Sequence, residues 1–250
     1  MHTNRLLVAW LLAAACGGLH AQDLANVCHA TSSYDLTVQS NQLVFDRAGP
    51  APTRVVLGEG MLLTDGQSVR LNEEDQDRLD LFQRDLRALM PRVKAVAQHG
   101  VDLTMRAIHD ESGTLNLDAD TRAELDRRLA GHAAELRQRI AASESTHDWH
   151  GDTANQYVNQ VISDIGPLLA SSLGQQAVSA AMSGDLQQAA ELRDRATGLA
   201  SGFQPRLQQR LQALRPEVQA LCPDIQRLSE LQQGIRASNG RPLNLVQVGQ

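Results

Sequence analysis

The apolar pattern of this 250-residue chain changes period at Asn72. Before that point, Leu36-Thr-Val38, Leu43-Val-Phe45 and Val55-Val-Leu57 are short, β-branched runs set between turn formers, among them Gly49-Pro50-Ala51-Pro52. Runs of this kind read as strands. Met61–Thr64 and Gln67–Leu71 flank Asp65-Gly66, a pair in which both residues accept positive φ, as a two-residue hairpin turn requires. Residues 22–71 are therefore expected to form a β-hairpin region, an antiparallel sheet of three to five strands.

After Asn72 the period is that of a helix. Asn72 is a good N-cap, and Glu73, Glu74 and Asp75 put negative charge on the first turn, where exposed amides favour it. Leu79, Phe82, Leu86, Leu89, Val93, Val96, Gly100 and Leu103 then alternate three and four apart, the seam of a long helix or of two helices jointed at Pro91. A second helix is expected from Asp118 or Asp120, carrying Leu125, Leu129, Leu136 and Ile140. A third carries Tyr157, Val161, Ile165 and Leu168, with a bend expected at Gly166-Pro167. Gly174 to Gly184 reads as a small, polar interruption, followed by a helix from Asp185 to about Leu199. The last seam, Leu207 to Leu228, is interrupted by Pro216 and Pro223, and from Ser238 no period remains, so residues 238–250 are expected to be loose. The fold class is α+β: a small N-terminal antiparallel sheet followed by a bundle of about five long amphipathic helices over residues 72–237. These seams are of coiled-coil type, and the bundle is expected to pack with the sheet as a single unit.

Residues 1–21 have the layout of a secretory signal peptide: Arg5, an apolar run from Leu6 to Leu19, then Ala21 at the cleavage point. The run is too short to span a bilayer comfortably, and no other stretch is long and apolar enough to do so. The expected location is the periplasm of a Gram-negative cell. The minor alternative is an outer-membrane lipoprotein anchored through Cys16, because Ala13-Ala14-Ala15-Cys16 resembles a lipoprotein cleavage site. Loss of the leader removes Cys16 and leaves Cys28 and Cys222, which in an oxidising compartment most simply pair with each other. With no Cys-x-x-Cys to lower a thiol pKa, the pair is expected to be a structural staple.

Composition narrows the chemistry. A net charge of −6 argues against a sequence-independent nucleic-acid surface, which needs a concentrated basic face. Aromatics at 3% leave little for base stacking or a carbohydrate cleft. There is no Gly-x-Ser-x-Gly, P-loop, Gly-x-Gly-x-x-Gly or His-Glu-x-x-His, so no catalytic residue is assigned and no cofactor is expected. The one polar cluster of chemical interest is His147-Asp148-Trp149-His150-Gly151-Asp152. His147 and His150 lie three apart, facing one way on a helical turn, and with Asp148 they are acceptable metal ligands; His132 or His109 would complete the set. Set against this is the plainer reading of a solvated interhelical loop.

The order of features resembles the YggN-like exported proteins of gammaproteobacteria, a domain of unknown function. The resemblance rests on the leader, on Cys28 just after it, and on the hairpin Leu62-Leu-Thr-Asp-Gly-Gln-Ser-Val-Arg-Leu71. It continues through Leu79-x-x-Phe82-x-x-x-Leu86-Arg87-x-x-x-Pro91 to a late cysteine, Cys222. It implies periplasmic residence and a disulfide-stapled α+β fold, assigns no activity, and supplies no counterpart of His147 and His150. The expected role is a non-enzymatic protein that binds envelope proteins or peptides through its helical region. The alternative is a metal- or small-ligand-binding protein using the His147/His150 loop.

Overall fold

The structure, a computed structural model, describes residues 27–115, 117–149, 151–188, 190–192 and 208–249. The expected leader and cleavage site, Cys16 and His150 lie outside the described residues, as does the end of the helix expected from Asp185 to about Leu199. The protein is α+β, as expected, with the sheet at the N-terminal end and helices after it. It divides into two compact units, where the sequence suggested one. Among the described residues, the sheet unit takes those within 27–97, 141–149 and 214–249, and the helical unit those within 98–140, 151–192 and 208–213, each broken in sequence.

In the sheet unit, strands β2 (Asp35–Val38), β3 (Gln42–Asp46), β4 (Arg54–Gly58), β5 (Met61–Thr64) and β6 (Gln67–Val69) form an antiparallel meander in sequence order. The Asp65-Gly66 hairpin is as expected: Asp65 has φ 49°, Gly66 has φ 79°, and Thr64 pairs with Gln67. The Asp65 carboxylate also reaches back, accepting from the N–H groups of Thr53 and Arg54 at 2.7 and 3.0 Å and from Thr53 Oγ1 at 2.9 Å. Those donors hold its pKa below the usual carboxylate value. The β4–β5 turn, Glu59-Gly60, has the same left-handed pair of φ values, 52° and 71°.

Alternation places Leu43, Phe45, Val55, Leu57 and Leu62 on the buried face of this sheet. Against them pack Leu79, Phe82, Leu86 and Leu89 of α1 (Glu73–Ser112) and Leu221, Ile225 and Leu228 near the C-terminus. Helix α1 is capped as expected, Asn72 Oδ1 accepting the Asp75 N–H at 2.7 Å, and it continues through Pro91 without a break. The chain then meets Pro216 near the start of α4 (Arg215–Gln219) and Pro223 near the start of α5 (Cys222–Leu231). There the missing N–H of proline costs no helical hydrogen bond. The disulfide joins Cys28 to Cys222, whose Cα atoms are 5.1 Å apart across 194 residues of sequence.

The C-terminal stretch is not loose. Leu243 and Leu245 are 1% and 0% exposed, and β7 (Gln247–Val248) pairs with β1 (Ala30–Thr31). What holds the stretch is polar. Buried Gln232 accepts the N–H of Leu245 at 2.6 Å and that of Val246 at 3.3 Å through its side-chain oxygen, and its amide nitrogen donates to the Val246 carbonyl. One side chain thus serves as a rung of sheet. Upstream, fully buried Thr64 accepts the Ser238 N–H at 3.0 Å and donates to Ser238 Oγ at 2.8 Å.

In the helical unit, α2 (Ala119–Ala142) starts where expected, with Asp118 as its cap: Oδ1 accepts the Thr121 N–H at 2.8 Å and Oδ2 the Thr121 hydroxyl at 2.6 Å. Leu125 and Leu129 of α2 pack with Leu115, Leu117 and with Tyr157, Val161 and Ile165 of α3 (Gly151–Met182). Two details differ from the expectation. Gly174–Met182 is helical, a continuation of α3, because its alanines and glutamines are good helix formers and it contains no proline. In the last part of α1 the buried positions are Val101, Thr104 and Ala107, not Gly100 and Leu103. A straight helix drifts about 20° per heptad from a strict seven-residue repeat, so three heptads beyond Leu79 the seam has moved by one residue.

Candidate functional site

The histidine loop grows out of the end of α2. Lys94 Nζ donates to the Ala141 carbonyl at 2.8 Å, placing the chain's one lysine on a helix C-terminus, where positive charge is favoured. Residues 143–149 then lie against the outer edge of β2. The Val38 N–H donates to the Glu144 carbonyl and the Leu36 N–H to Thr146 Oγ1, both at 2.8 Å, with Thr37 and Ser145 bridged between them. The Trp149 indole donates to Ser143 Oγ at 2.8 Å and folds the loop on itself. This loop therefore closes a sheet edge that would otherwise expose unpaired backbone.

Its histidine is peripheral to that bonding. The His147 side chain is 75% exposed, with Nδ1 3.4 Å from Asp35 Oδ2, and Asp148 is exposed. His109 and His132, the candidates for a third ligand, belong to the helical unit, where each pairs with a carboxylate of its own: His109 Nδ1 with Asp126 at 3.1 Å, His132 Nε2 with Asp164 at 3.0 Å. Among the described residues, no three His, Cys, Asp or Glu side chains are grouped to hold a metal ion.

His132 stands at the centre of a second cluster, one the sequence did not single out. Its side chain is 12% exposed and meets Tyr157 edge to face, ring centroids 6.2 Å apart. The Tyr157 hydroxyl donates to the His132 carbonyl at 2.5 Å. Arg128, one turn before His132, shares Asp164 at 2.9 Å and also pairs with Glu124 at 2.6 Å. Those two carboxylates raise the guanidinium's pKa further, and the arginines of α2 hold Glu124 below the usual range. The arrangement fixes an imidazole between α2 and α3, and its hydroxyl donor is directed at a backbone carbonyl. It reads as a polar clasp between two helices. The i, i+4 spacing of Arg128 and His132 was visible in the sequence, but which turn of α3 would face them was not.

The third feature is a groove of about 760 Å³ at the C-terminal end of α3, lined chiefly by serine and glutamine: Ser172, Gln175, Gln176, Ser179 and Gln188, with Asp118 at one side. Helix α3 ends at Gly184, whose φ of 78° is the left-handed stop of a helix, and Asp185 Oδ1 caps the next helical stretch through the Gln188 N–H at 2.8 Å. Around this turn Val178, Met182 and Leu186 are 58%, 86% and 74% exposed.

Among the described residues, no helix is long and apolar enough to cross a membrane. No curated protein and no solved structure matches the chain significantly. A family model does match, from Cys28 to Val246, a stretch that begins at the disulfide and ends at the backbone clasped by Gln232; its description is "Protein of unknown function (DUF2884)". The chain belongs to that family.

Proposed function

We propose that the protein is a periplasmic, non-enzymatic binding protein of YggN-like type, exported by residues 1–21, which takes envelope proteins or peptides on its helical region. The observation that carries this reading is the exposure of Val178, Met182 and Leu186 about one helix end beside the serine- and glutamine-lined groove. Apolar surface held in water is unfavourable by roughly 25 cal/mol per Å², and clustered exposure of this kind marks interaction sites. The amide and hydroxyl side chains next to it supply donors and acceptors suited to a peptide backbone. The Cys28–Cys222 disulfide accords with an oxidising compartment.

The test is site-specific photo-crosslinking in intact cells, with benzoylphenylalanine placed at Met182 and, as a control, at exposed Glu59 in the β4–β5 turn. The expected result is a discrete adduct with an envelope protein from position 182, absent at position 59 and lost when Val178→Asp and Leu186→Asp are added. No adduct at 182, or equal adducts at both positions, would refute the reading. Fractionation of the same cells checks the location.

A further inference from the structure

The two edges of the five-stranded sheet are treated differently. The β2 edge is closed by residues 144–146, as described above. The β6 edge instead borders a groove of about 560 Å³ whose opposite wall is Gly234–Ser238. Gln67 to Leu71 line it consecutively, residues from both faces of the strand, so the groove follows the backbone edge and not a face.

The hydrogen-bond pattern shows which groups that edge offers. Thr64 and Gln67 close the two-residue turn and form the bonded pair; in an antiparallel ladder the next pair, Leu63 and Ser68, is the non-bonded one. The N–H and C=O of Ser68 therefore point away from β5. The opposite wall has the same property. Arg236 and Pro242 form an isolated antiparallel bridge whose bonds run from the Ala237 N–H to the Arg241 carbonyl, 2.8 Å, and from the Leu243 N–H to the Ile235 carbonyl, 3.0 Å. That pattern leaves the N–H and C=O of Arg236 directed away from the 241–243 segment. Among the described residues, neither Ser68 nor Arg236 has a backbone hydrogen bond on its outward side. Two backbone couples thus border one groove, each with a donor and an acceptor in hand.

We infer that this groove receives an extended, acidic segment of a partner protein, which pairs as an added strand with Ser68 and borders Arg236 on its other side. Backbone pairing supplies the affinity in strand addition and alternate side chains supply the selectivity. Charge selects the acidic segment. Arg70 and Arg236 are exposed on the rim, and the one acidic lining residue, Asp75, is paired with Arg78 at 3.3 Å. A second copy of this chain is the less suitable occupant, because its own β6 edge would bring a second Arg70 to the same rim. The site lies wholly in the sheet unit, whereas the apolar patch around Met182 is in the helical one, and each stands or falls without the other.

Fluorescence anisotropy on the full, oxidised chain tests the inference with three labelled decapeptides: alternating valine and glutamate, alternating valine and lysine, and the glutamate peptide N-methylated at alternate residues. The glutamate peptide is expected to bind, with the lysine and N-methylated peptides about tenfold weaker or more. Ser68→Pro removes the outward N–H without breaking a ladder bond and should weaken the glutamate peptide about tenfold. No binding of the glutamate peptide, equal binding of all three, or affinity unchanged in folded Ser68→Pro overturns the inference. Should that variant fail to fold, hydrogen exchange on the unaltered protein decides: the Ser68 and Arg236 amides gain protection with saturating glutamate peptide, and no gain overturns it. A dimer by sedimentation that Ser68→Pro dissolves, with no peptide binding, would overturn it in favour of self-pairing.

Discussion

Replacing Gln232 with leucine keeps the volume of a buried side chain and removes its three hydrogen bonds, so it isolates what the amide does for the C-terminal stretch. Leu245, whose N–H loses its acceptor, is 0% exposed, and stranding a buried donor costs about 1–3 kcal/mol. Val246 is only partly buried, so its N–H and carbonyl recover part of their bonding from water and add less. The expected total is about 2–4 kcal/mol for docking of residues 243–248. The decisive assay is native-state hydrogen exchange at the Leu245 and Val246 amides. At about 1.4 kcal/mol per decade, protection at these two sites should fall about 30- to 700-fold, with the strands β3 to β5 far less affected. Gln226→Ala, an exposed change one and a half turns earlier in α5, is the control and should stay within about 0.5 kcal/mol. Unchanged protection at Leu245 in Gln232→Leu would refute the reasoning: the stretch would then be held by its apolar contacts alone.

Reduction, or Cys28→Ser with Cys222→Ser, releases a loop of 194 residues and should lower stability by up to about 5 kcal/mol on the chain-entropy model, read as a shift in the denaturant midpoint. Free-thiol titration of unreduced, denatured protein should find none from Cys28 or Cys222. The lowered pKa of Asp65, set first by the Arg54 N–H, and that of Asp118, set first by the Thr121 hydroxyl, both mean stability that is complete above the unfolded value of 3.8 and lost as pH falls through the still lower folded values. In Asp65→Asn the acid-unfolding curve below that pH should be measurably shallower, since an asparagine oxygen still accepts the same bonds and does not titrate. Alanine at both His147 and His150 should leave zinc affinity and the unfolding midpoint unchanged within error; a lost stoichiometric zinc site would reinstate the histidine loop as the functional centre.

What was legible in the sequence was local. The Asp65-Gly66 turn, the Asn72 cap and the breaks of the last seam at Pro216 and Pro223 are each decided by residues within a few positions of one another. The cysteine pairing was legible by elimination, from a count of the thiols outside the expected leader. The packing of the C-terminal stretch was not, because a segment without periodicity is fixed by partners far away in sequence: Thr64 for Ser238, and β1 for β7. Glu59 was missed for a different reason, since glutamate is an unusual occupant of the left-handed region and gives no turn signal of its own. The cluster of Arg128, His132, Tyr157 and Asp164 needs the register between two helices, which the sequence pattern leaves open by a turn in either direction. The seam of α1 failed only beyond its third heptad, where a strict repeat and a straight helix part company.

The division of the chain has a consequence for the order in which it matures. The sheet unit owns both the first and the last described residues, and Ile225, Leu228, Leu243 and Leu245 of its core come from the final tenth or so of the chain. A ribosome adding about 5–20 residues per second needs roughly 6–25 s to travel from Ala97 to Leu214. Throughout that interval the strands β2 to β6 exist with many of their hydrophobic partners still unmade, while the segment from Gln98 onward is already long enough to pair its own helices. The N-terminal sheet is thus synthesised first and completed last. Until those last residues arrive, Leu43, Leu57 and Leu62 have only the α1 part of their core to pack against.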